Sequence, residues 1–263
     1  MTVVSLAERA GLWPALAAMP QDWPEFMLHD PVANRCWARL PRRYPEWQLA
    51  VLDLTTVVAR LHGVPFQWNG DPASLPARGW DHLLEAAFDR PVPADLTSGD
   101  WWLGLLEATV ATGRQGDGLG ALMLGAAAER AEAAGLAGTL TPARPTGFDA
   151  RSGLSLAEYA ARRRDDGLPV DAWLRTHRRA GADIVGVCPL SMTIPGTLAQ
   201  WRAWTGLAFD ASGDVVVPGA LSPVHVDLLN DHAVYVEPNV WTVRARPGSL
   251  RPTNPSGQTI GLV

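Results

Sequence analysis

The feature that most constrains the fold of this chain is a glycine-rich segment between an apolar run and an alanine-rich one. Residues 101–110, WWLGLLEATV, are the best candidate for a buried strand, and residues 119–135 are rich in strong helix formers. Four glycines fall among the eight residues 113–120. A strand, a glycine-rich loop and a helix in this order leave backbone N–H groups free at the helix N-terminus, where the helix dipole favours an anion. The segment therefore predicts a phosphate or diphosphate site.

Two other interpretations of the loop compete with an anion site. A tight turn explains any single glycine, because glycine adopts positive φ angles at little cost. Residues 116–121, GDGLGA, also match a dinucleotide-binding fingerprint, but that motif needs an acidic residue at the end of the next strand. The next strand, GTLTPARP, offers none. The dinucleotide interpretation is therefore set aside, and the turn remains as an alternative.

The absence of lysine narrows the chemistry that such a loop can serve. All 22 basic residues are arginine. P-loop NTPases, protein kinases and Schiff-base enzymes each need a lysine amine, so these classes are excluded. A phosphate site in this chain is built from peptide N–H groups instead.

Residues 110–120, V-A-T-G-R-Q-G-D-G-L-G, resemble the signature of the GNAT superfamily of acyl-CoA-dependent N-acyltransferases. In that signature a strand ends in valine, and Q/R-x-x-G-x-G/A opens a helix. The resemblance, to a divergent bacterial member, implies an α/β fold with a mixed, mostly antiparallel central sheet flanked by helices. It also implies that the loop amides hold the diphosphate of acetyl-CoA or another acyl-CoA, used as co-substrate. The implied cofactor-binding residues are Val110, Gln115, Gly116, Asp117, Gly118, Leu119 and Gly120.

Two ionisable residues fall near the catalytic positions of that family. Many GNAT proteins protonate the departing thiolate with a tyrosine four residues before a glycine, and here His177 stands four residues before Gly181. Glu107 is the single ionisable residue on the strand 101–110, and the resemblance implies that it assists deprotonation of the amine. An exposed helix histidine among arginines and a glutamate at a solvent-facing edge are the alternatives. Glu107 and His177 are thus the predicted catalytic residues.

The resemblance implies direct transfer of an acyl group, most simply acetyl, from a coenzyme A thioester to a small-molecule amine. A non-catalytic acyl-thioester-binding or scaffold module remains an alternative, as does an acyl donor carried on a carrier protein or an aminoacyl-tRNA. The net charge of −5 disfavours a nucleic-acid partner.

Composition and residue spacing give no indication of a metal site, of redox chemistry or of a membrane span. Cys36 and Cys188 have no motif spacing, and His225, Asp227 and His232 are better explained by a strand and a turn than by a metal site, so no metal is predicted. The N-terminus lacks a signal-peptide core, and no apolar run is long enough to span a bilayer. A cytoplasmic protein without a membrane partner is expected, and a homodimer is left open.

A single domain is predicted over residues 1–244, with an insertion at about 143–170 and a flexible C-terminal tail at 245–263. Strands are expected on both sides of a turn at Leu54, and a C-terminal hairpin-like pair is expected around Asn230 and Asp231. The insertion is rich in arginine, which predicts a solvated helix face or contacts with an anionic acceptor or the 3′-phosphate of coenzyme A. These arginines are Arg144, Arg151, Arg162, Arg163 and Arg164.

Overall fold

The structure, a computed structural model, describes residues 1–89, 92–93, 95–97 and 100–248. Its strands are β1 (Thr2–Ser5), β2 (Gln48–Asp53), β3 (Thr56–Gln67), β4 (Trp101–Val110), β5 (Gly138–Ala143), β6 (Asp183–Gly196), β7 (Gly213–Val215), β8 (Val224–Asp227) and β9 (His232–Ala245). Its helices are α1 (Trp13–Ala18), α2 (Pro31–Cys36), α3 (Leu40–Arg43), α4 (Gly79–Asp89), α5 (Leu119–Ala133), α6 (Leu156–Ala161), α7 (Ala172–Arg179) and α8 (Leu198–Thr205). Short 3₁₀ turns span Ala10–Leu12, Glu25–His29, Trp37–Arg39, Pro45–Trp47, Pro72–Ser74 and Ala150–Ser152.

The strands form one mixed, mostly antiparallel sheet, as predicted. Among the described strands, β4 and β5 make the one parallel pair, and all other pairings are antiparallel. The order runs from β1 through β2, β3, β4 and β5 to β9. Strand β9 pairs with β6 along one edge, and with β5 and then β8 along the other. The sheet is therefore continuous through β9.

Strands β4 and β5 separate soon after they meet. They pair at Leu103–Thr139 and Gly104–Leu140. Just beyond, β4 bulges against β3, because Leu105 faces Gly63 while Glu107 faces His62, which leaves Leu106 as the extra residue. A bulge bends its strand and increases the local twist. The second half of β4 is thus free of β5, and a gap opens in the middle of the sheet.

Helices flank this sheet and cover its apolar side chains. Helix α5 packs on β2 to β5, and α4 packs on β3, β4 and β6. Both contribute to a large core that includes Leu83, Met123 and Trp241. Within the described residues, no helix has the length and apolarity required to cross a membrane.

Several local predictions differ from the structure at its prolines. The sequence of residues 24–40 predicts one helical region, but this segment divides into short turns and helices, and Pro31 stands in the first turn of α2. The strand expected over 214–229 is broken into β7 and β8, because Pro218 cannot donate to a sheet ladder and Gly219 has φ 82°. The turn at Leu54 is confirmed, with φ 57°.

The insertion and the tail are described only in part. Between β5 and α7 the chain contains α6, whose side chains pack in a small cluster with Ala143, Leu174 and Val240. Strand β9 continues to Ala245, at the start of the predicted tail, and residues 249–263 of that tail lie outside the described residues.

Candidate active site

A cavity of about 590 Å³ lies where β4 and β5 separate. One wall is the second half of β4, and the facing wall is the end of β5 with the residue that follows it, Arg144. Beyond the strands the cavity meets the N-terminal segment, β9 and the helices. Those lining residues include Trp23, Trp37, Trp80, Trp173, Met192, Glu237 and Asn239. The cavity is thus mostly apolar, with a few polar groups, as in most small-molecule sites.

The glycine-rich loop adjoins this cavity and has unpaired backbone amides. Gly116 (φ 92°) and Gly118 (φ 78°) adopt the left-handed conformation, and Gly118 caps α5 without a side-chain hydrogen bond. A Cβ atom at either position would meet nothing within 4 Å. Among the hydrogen bonds of the described residues, none uses the N–H groups of Gly116, Gly118, Leu119 or Gly120. The start of α5 therefore presents free donors beside open space, which is the arrangement that anions require.

The remaining residues of the predicted loop site hold its shape or face the cavity. Val110 and Gln115 both line the cavity, and Gln115 Oε1 accepts a hydrogen bond from the N–H of Gly113 at 2.8 Å. Asp117 Oδ2 accepts from Arg114 Nε at 2.7 Å, while Arg114 Nη1 lies 3.1 Å from Asp53 Oδ2. These hydrogen bonds and ion pairs, made by partly exposed side chains, stabilise the conformation of the loop.

Gly120 has a different reason to be glycine. A Cβ atom there would lie 3.0 Å from Trp173 Cζ3. Gly120 faces α7, so the absence of a side chain allows the two helices to pack closely. From the sequence, this glycine was expected to let a phosphate approach the backbone. Leu119, the residue before it, is buried in the core.

Glu107 lines the cavity and is paired on one oxygen. Its Oε1 accepts hydrogen bonds from Arg60 Nε at 3.0 Å, Arg60 Nη2 at 2.7 Å and Thr109 Oγ1 at 2.6 Å. Its Oε2 has no hydrogen-bond donor among the described residues, and the nearby ring nitrogen, His62 Nε2, is 3.7 Å away. The solvent-facing alternative is wrong, since Glu107 is only 8% exposed. One oxygen of a buried carboxylate is thus available to a ligand.

The protonation states around Glu107 follow from its partners. Burial acts to raise the pKa of Glu107, but His62, the Arg60 guanidinium and the hydrogen bonds of Arg60 and Thr109 hold this pKa below its usual range. Burial lowers the pKa of His62 to about 4, so this ring is neutral at pH 7. Gln48 Nε2 donates to two backbone carbonyls, so its Oε1 accepts from His62 Nδ1 at 2.8 Å. The neutral His62 therefore presents an unprotonated Nε2 to Glu107 and cannot donate to Oε2.

His177 lies outside the residues that line the cavity. It is 2% exposed, packs edge-on against Trp173, and pairs its Nδ1 with Thr242 Oγ1 at 3.0 Å. Burial lowers its pKa to about 3, so the ring is neutral at pH 7. The exposed-face alternative is therefore wrong, and the structure does not bring His177 together with Glu107. Its role as general acid stays a prediction that this geometry does not favour.

A second carboxylate of the cavity, Glu237, is fully engaged. Arg144 Nε lies 3.1 and 2.9 Å from its two oxygens, Tyr235 Oη donates to Oε2 at 2.9 Å, and Asn239 Nδ2 donates to Oε1 at 3.0 Å. Arg144 also donates to the carbonyl of Gly219. Glu237 and Arg144 thus neutralise each other, so that of the two buried glutamates lining the cavity Glu107 is the one with an unoccupied oxygen.

Two other arginines of the insertion, and one histidine of the C-terminal hairpin, have local partners. Arg151 pairs with Asp149 at 3.0 Å, and Arg164 lies 3.5 Å from Asp166. His225 pairs with Asp214 at 3.2 Å. The described part of the chain contains no group of three residues suited to a metal ion.

Comparisons with known proteins agree with this architecture. No protein-family model matches the chain. The structure is similar to the loading GNATL domain of CurA from Lyngbya majuscula (TM-score 0.59, 16% identity, 93% of this chain and 96% of that one). It is also similar to the GNAT-like decarboxylase GphF in complex with isobutyryl-CoA (TM-score 0.52, 17% identity, 93% and 99%). At these identities the likeness shows the fold alone, which is that of GNAT proteins.

A curated relative extends the likeness to the sequence. The arginine N-acetyltransferase avaD of Aspergillus versicolor is 30% identical in an alignment of 251 positions that covers 86% of this chain and 86% of that one. The chain belongs to the GNAT-like N-acetyltransferases. As a member of this family it is an N-acyltransferase. Its expected bacterial origin stays a prediction.

Several residues of this candidate site were not predicted from the sequence. Arg60 and His62 were hidden in an apolar strand, although they alternate on β3 as Glu107 and Thr109 do on β4. That matched alternation of charged and polar residues is a usable signal, since side chains two apart share a face of a strand. The tryptophans at 23, 37 and 80 had no comparable signal, because they come from three separate segments.

Proposed function

We propose that this N-acyltransferase moves an acyl group, with acetyl as the first candidate, from coenzyme A to a cationic small-molecule amine in the cavity between β4 and β5. The observation that carries the proposal is the row of free amides at the start of α5 beside that cavity. In support, the relative avaD is named for N-acetylation of arginine, and the structure of GphF is a complex with isobutyryl-CoA.

The donor end of the cavity is assigned to the loop before α5. The N–H groups of Gly116, Gly118, Leu119 and Gly120 would bind the diphosphate, helped by the helix dipole. Because Gly116 and Gly118 leave open space where side chains would stand, a phosphate oxygen can approach the backbone closely. The pantetheine and the acyl group then extend along the free half of β4 toward Glu107.

The acceptor end is assigned to Glu107 and the tryptophans around it. An ammonium or guanidinium group binds Glu107 Oε2, the oxygen that has no protein donor in the described structure. The faces of Trp23, Trp37 and Trp80 favour a cation beside them. Arginine is the first acceptor to test, since the relative's name specifies it.

From an ammonium group, the transfer needs two protons to leave the nitrogen, one before the attack and one after it, and one proton to reach the sulfur. Glu107 Oε2 accepts the proton of the ammonium group, and the freed lone pair attacks the thioester carbon. The carbon–sulfur bond breaks, the nitrogen loses its second proton to water, and coenzyme A leaves as a thiolate that takes a proton from solvent. Because its pKa is held low, Glu107 returns its proton to solvent at neutral pH. Alignment of amine and thioester in one cavity supplies much of the rate.

The donor site is tested by filling the open space at the loop. The double variant Gly116→Val with Gly118→Val is expected to weaken coenzyme A binding at least tenfold in calorimetry. Gly153→Val is the matched control, because Gly153 also has a positive φ (74°) and open space, yet it follows the Ala150–Ser152 turn and is not part of the loop before α5. Equal binding by the double variant and the control would refute the diphosphate placement.

The kind of donor is tested with a thioester that lacks the diphosphate. Wild-type kcat/KM is expected to fall at least a hundredfold when acetyl-CoA is replaced by acetyl N-acetylcysteamine. The double glycine variant should lose this discrimination. A wild-type enzyme that uses both donors equally would instead favour a carrier-bound donor or a non-catalytic role for the loop.

The acceptor site is tested by Glu107→Gln, which keeps the shape but removes the charge. With arginine as acceptor, kcat/KM is expected to fall about a hundredfold or more, the usual contribution of a general base. Coenzyme A affinity should stay unchanged, which serves as the internal control. Full activity of Glu107→Gln would remove Glu107 from the reaction.

A further inference from the structure

Two buried carboxyl groups beside the cavity each have an oxygen without a donor. Asp30 and Asp81 are 0% and 1% exposed. Asp30 Oδ1 accepts from the N–H of Ala33 at 2.7 Å, and Asp81 Oδ2 accepts from the N–H of Thr193 at 3.2 Å. The other oxygens, Asp30 Oδ2 and Asp81 Oδ1, find no donor among the described residues. Buried polar atoms are rarely left so, and each needs an explanation.

The explanation is that the two side chains bond to each other. Asp30 and Asp81 lie within hydrogen-bond reach. Two carboxylates have only acceptors and repel each other, whereas one protonated carboxyl donates to the other and satisfies both oxygens. We propose that Asp30 and Asp81 share one proton, and that this proton positions Trp37 and Trp80, which form the tryptophan wall of the cavity.

The shared proton joins three segments that each contribute to the cavity lining. Asp30 caps α2, whose Ala33 and Asn34 line the cavity, and Trp37 follows directly. Asp81 follows Trp80 in α4. Thr193, the partner of Asp81 on β6, follows the lining residue Met192.

The two tryptophans of this wall are themselves in contact. Trp37 and Trp80 stack with ring centroids 5.9 Å apart. Trp80 Nε1 also donates to the carbonyl of Leu106 in the β4 bulge at 2.7 Å. Loss of the shared proton would place two adjacent negative charges between α2 and α4 and separate this wall from the strand that carries Glu107. Asp30 and Asp81 are thus positioning residues, because they act on the substrate through the wall.

The charged groups around the pair set the pH at which it loses the proton. On α2 the charge of Arg35 favours ionisation of Asp30, and Arg78 Nη2, just before α4, lies 3.9 Å from Asp81 Oδ2. Both arginines are engaged by Glu85, at 2.6 and 2.7 Å. From β6 the contact is the uncharged amide of Thr193. Burial, then the charge of Asp30, raises the pKa of Asp81 to about 8.

The test compares wild type with Asp81→Asn between pH 6.5 and 9.5. Asparagine keeps an oxygen for the Thr193 amide and gives Asp30 a donor that does not titrate. Wild type is expected to show a one-proton change in tryptophan fluorescence near pH 8, which Asp81→Asn lacks. Asp30→Asn, whose amide can donate to Asp81, is the second variant and should also remove the change.

An activity readout rests on the proposed function and is therefore kept separate. The ratio of the acceptor KM in wild type to that in Asp81→Asn is expected to rise at least fivefold from pH 7 to 9.5. The ionisation of the acceptor cancels in this ratio. Over the same pH range, the affinity for coenzyme A should change to the same extent in wild type and in Asp81→Asn. A general structural defect would instead alter coenzyme A binding in one of the two proteins.

The outcomes distinguish the two proposals. A fluorescence transition that persists in both asparagine variants, or its absence in wild type, overturns the shared proton. A transition that disappears in the variants, in a protein that acetylates no amine, keeps the shared proton and rejects the proposed acceptor chemistry. A constant KM ratio beside a normal fluorescence transition rejects the positioning role.

Discussion

At the scale of single residues, the site depends on how each carboxylate oxygen is occupied. Glu107 and Glu237 both line the cavity, and each is paired with an arginine. Both oxygens of Glu237 are bonded, whereas Glu107 has all its described bonds on Oε1. This difference supports the proposal that Glu107, rather than Glu237, binds the ligand. Arg60 then has two functions, because it both compensates the charge of Glu107 and keeps its free oxygen aimed at the cavity.

Removal of Arg60 should therefore be costly for the fold. In Arg60→Met, Glu107 would remain buried without its cation, and we expect the free energy of unfolding to fall by about 3–5 kcal/mol. Urea denaturation at pH 7 measures this loss. The control is Arg130→Met, whose pair with Glu8 is exposed (29% and 50% side-chain exposure) and should contribute less than about 1 kcal/mol. Similar losses in both variants would contradict the buried pair.

The same residues show what the sequence could and could not predict. Glu107 was recognisable, since it is an ionisable residue within an apolar strand. The alternation on β3 indicates Arg60 and His62 as candidate partners, but the choice between them depends on the register of β3 against β4, including the bulge at Leu106. His177 shows a second limit, because a matching interval to a glycine selects a residue in the sequence without indicating which side of α7 it occupies.

At the scale of elements, helix α5 contains two glycines with different requirements. Its first turn presents free amides and packs Gly120 against Trp173 of α7, so a side chain is excluded there. Gly125, farther along, has open space around it and no requirement for glycine. The strand, the loop and the helix were all predictable from local pattern, because each depends on neighbours in sequence. The contact of α5 with α7 was not, since it joins segments some fifty residues apart.

The two glycines of α5 should respond oppositely to alanine. Gly125→Ala is expected to raise the free energy of unfolding by about 0.5–1 kcal/mol, the helix propensity difference. Gly120→Ala should lower it by about 1–3 kcal/mol, because the new methyl group lies 3.0 Å from Trp173 and forces α5 and α7 apart. Urea denaturation of both variants tests the pair. An equal gain in both would mean that the helices tolerate the methyl group.

At the scale of the whole molecule, buried titratable groups on different elements together set the pH range of stability. Burial lowers the pKa of His62 to about 4 and that of His177 to about 3, whereas burial and the charge of Asp30 raise the pKa of Asp81 to about 8. Between pH 4 and 6.5 the unfolded chain binds two more protons at the histidines and one fewer at Asp81. Stability therefore rises with pH in that window, with a net slope of about 1.4 kcal/mol per pH unit.

Above pH 6.5 the histidines are neutral in both states, and Asp81 alone of these three groups contributes. The folded protein holds its proton while the unfolded chain has lost it, so stability falls by about 1.4 kcal/mol per pH unit until about pH 8. We thus expect a maximum in the free energy of unfolding near pH 6.5, measured by urea denaturation at half-unit intervals. Asp81→Asn should flatten the alkaline side and steepen the acid side to about 2.7 kcal/mol per pH unit, since both histidines remain and the opposing proton of Asp81 is removed. A wild-type protein that becomes more stable from pH 6.5 to 8 would show that Asp81 is already ionised in the folded state, and that the wall between α2 and α4 is held together without a shared proton.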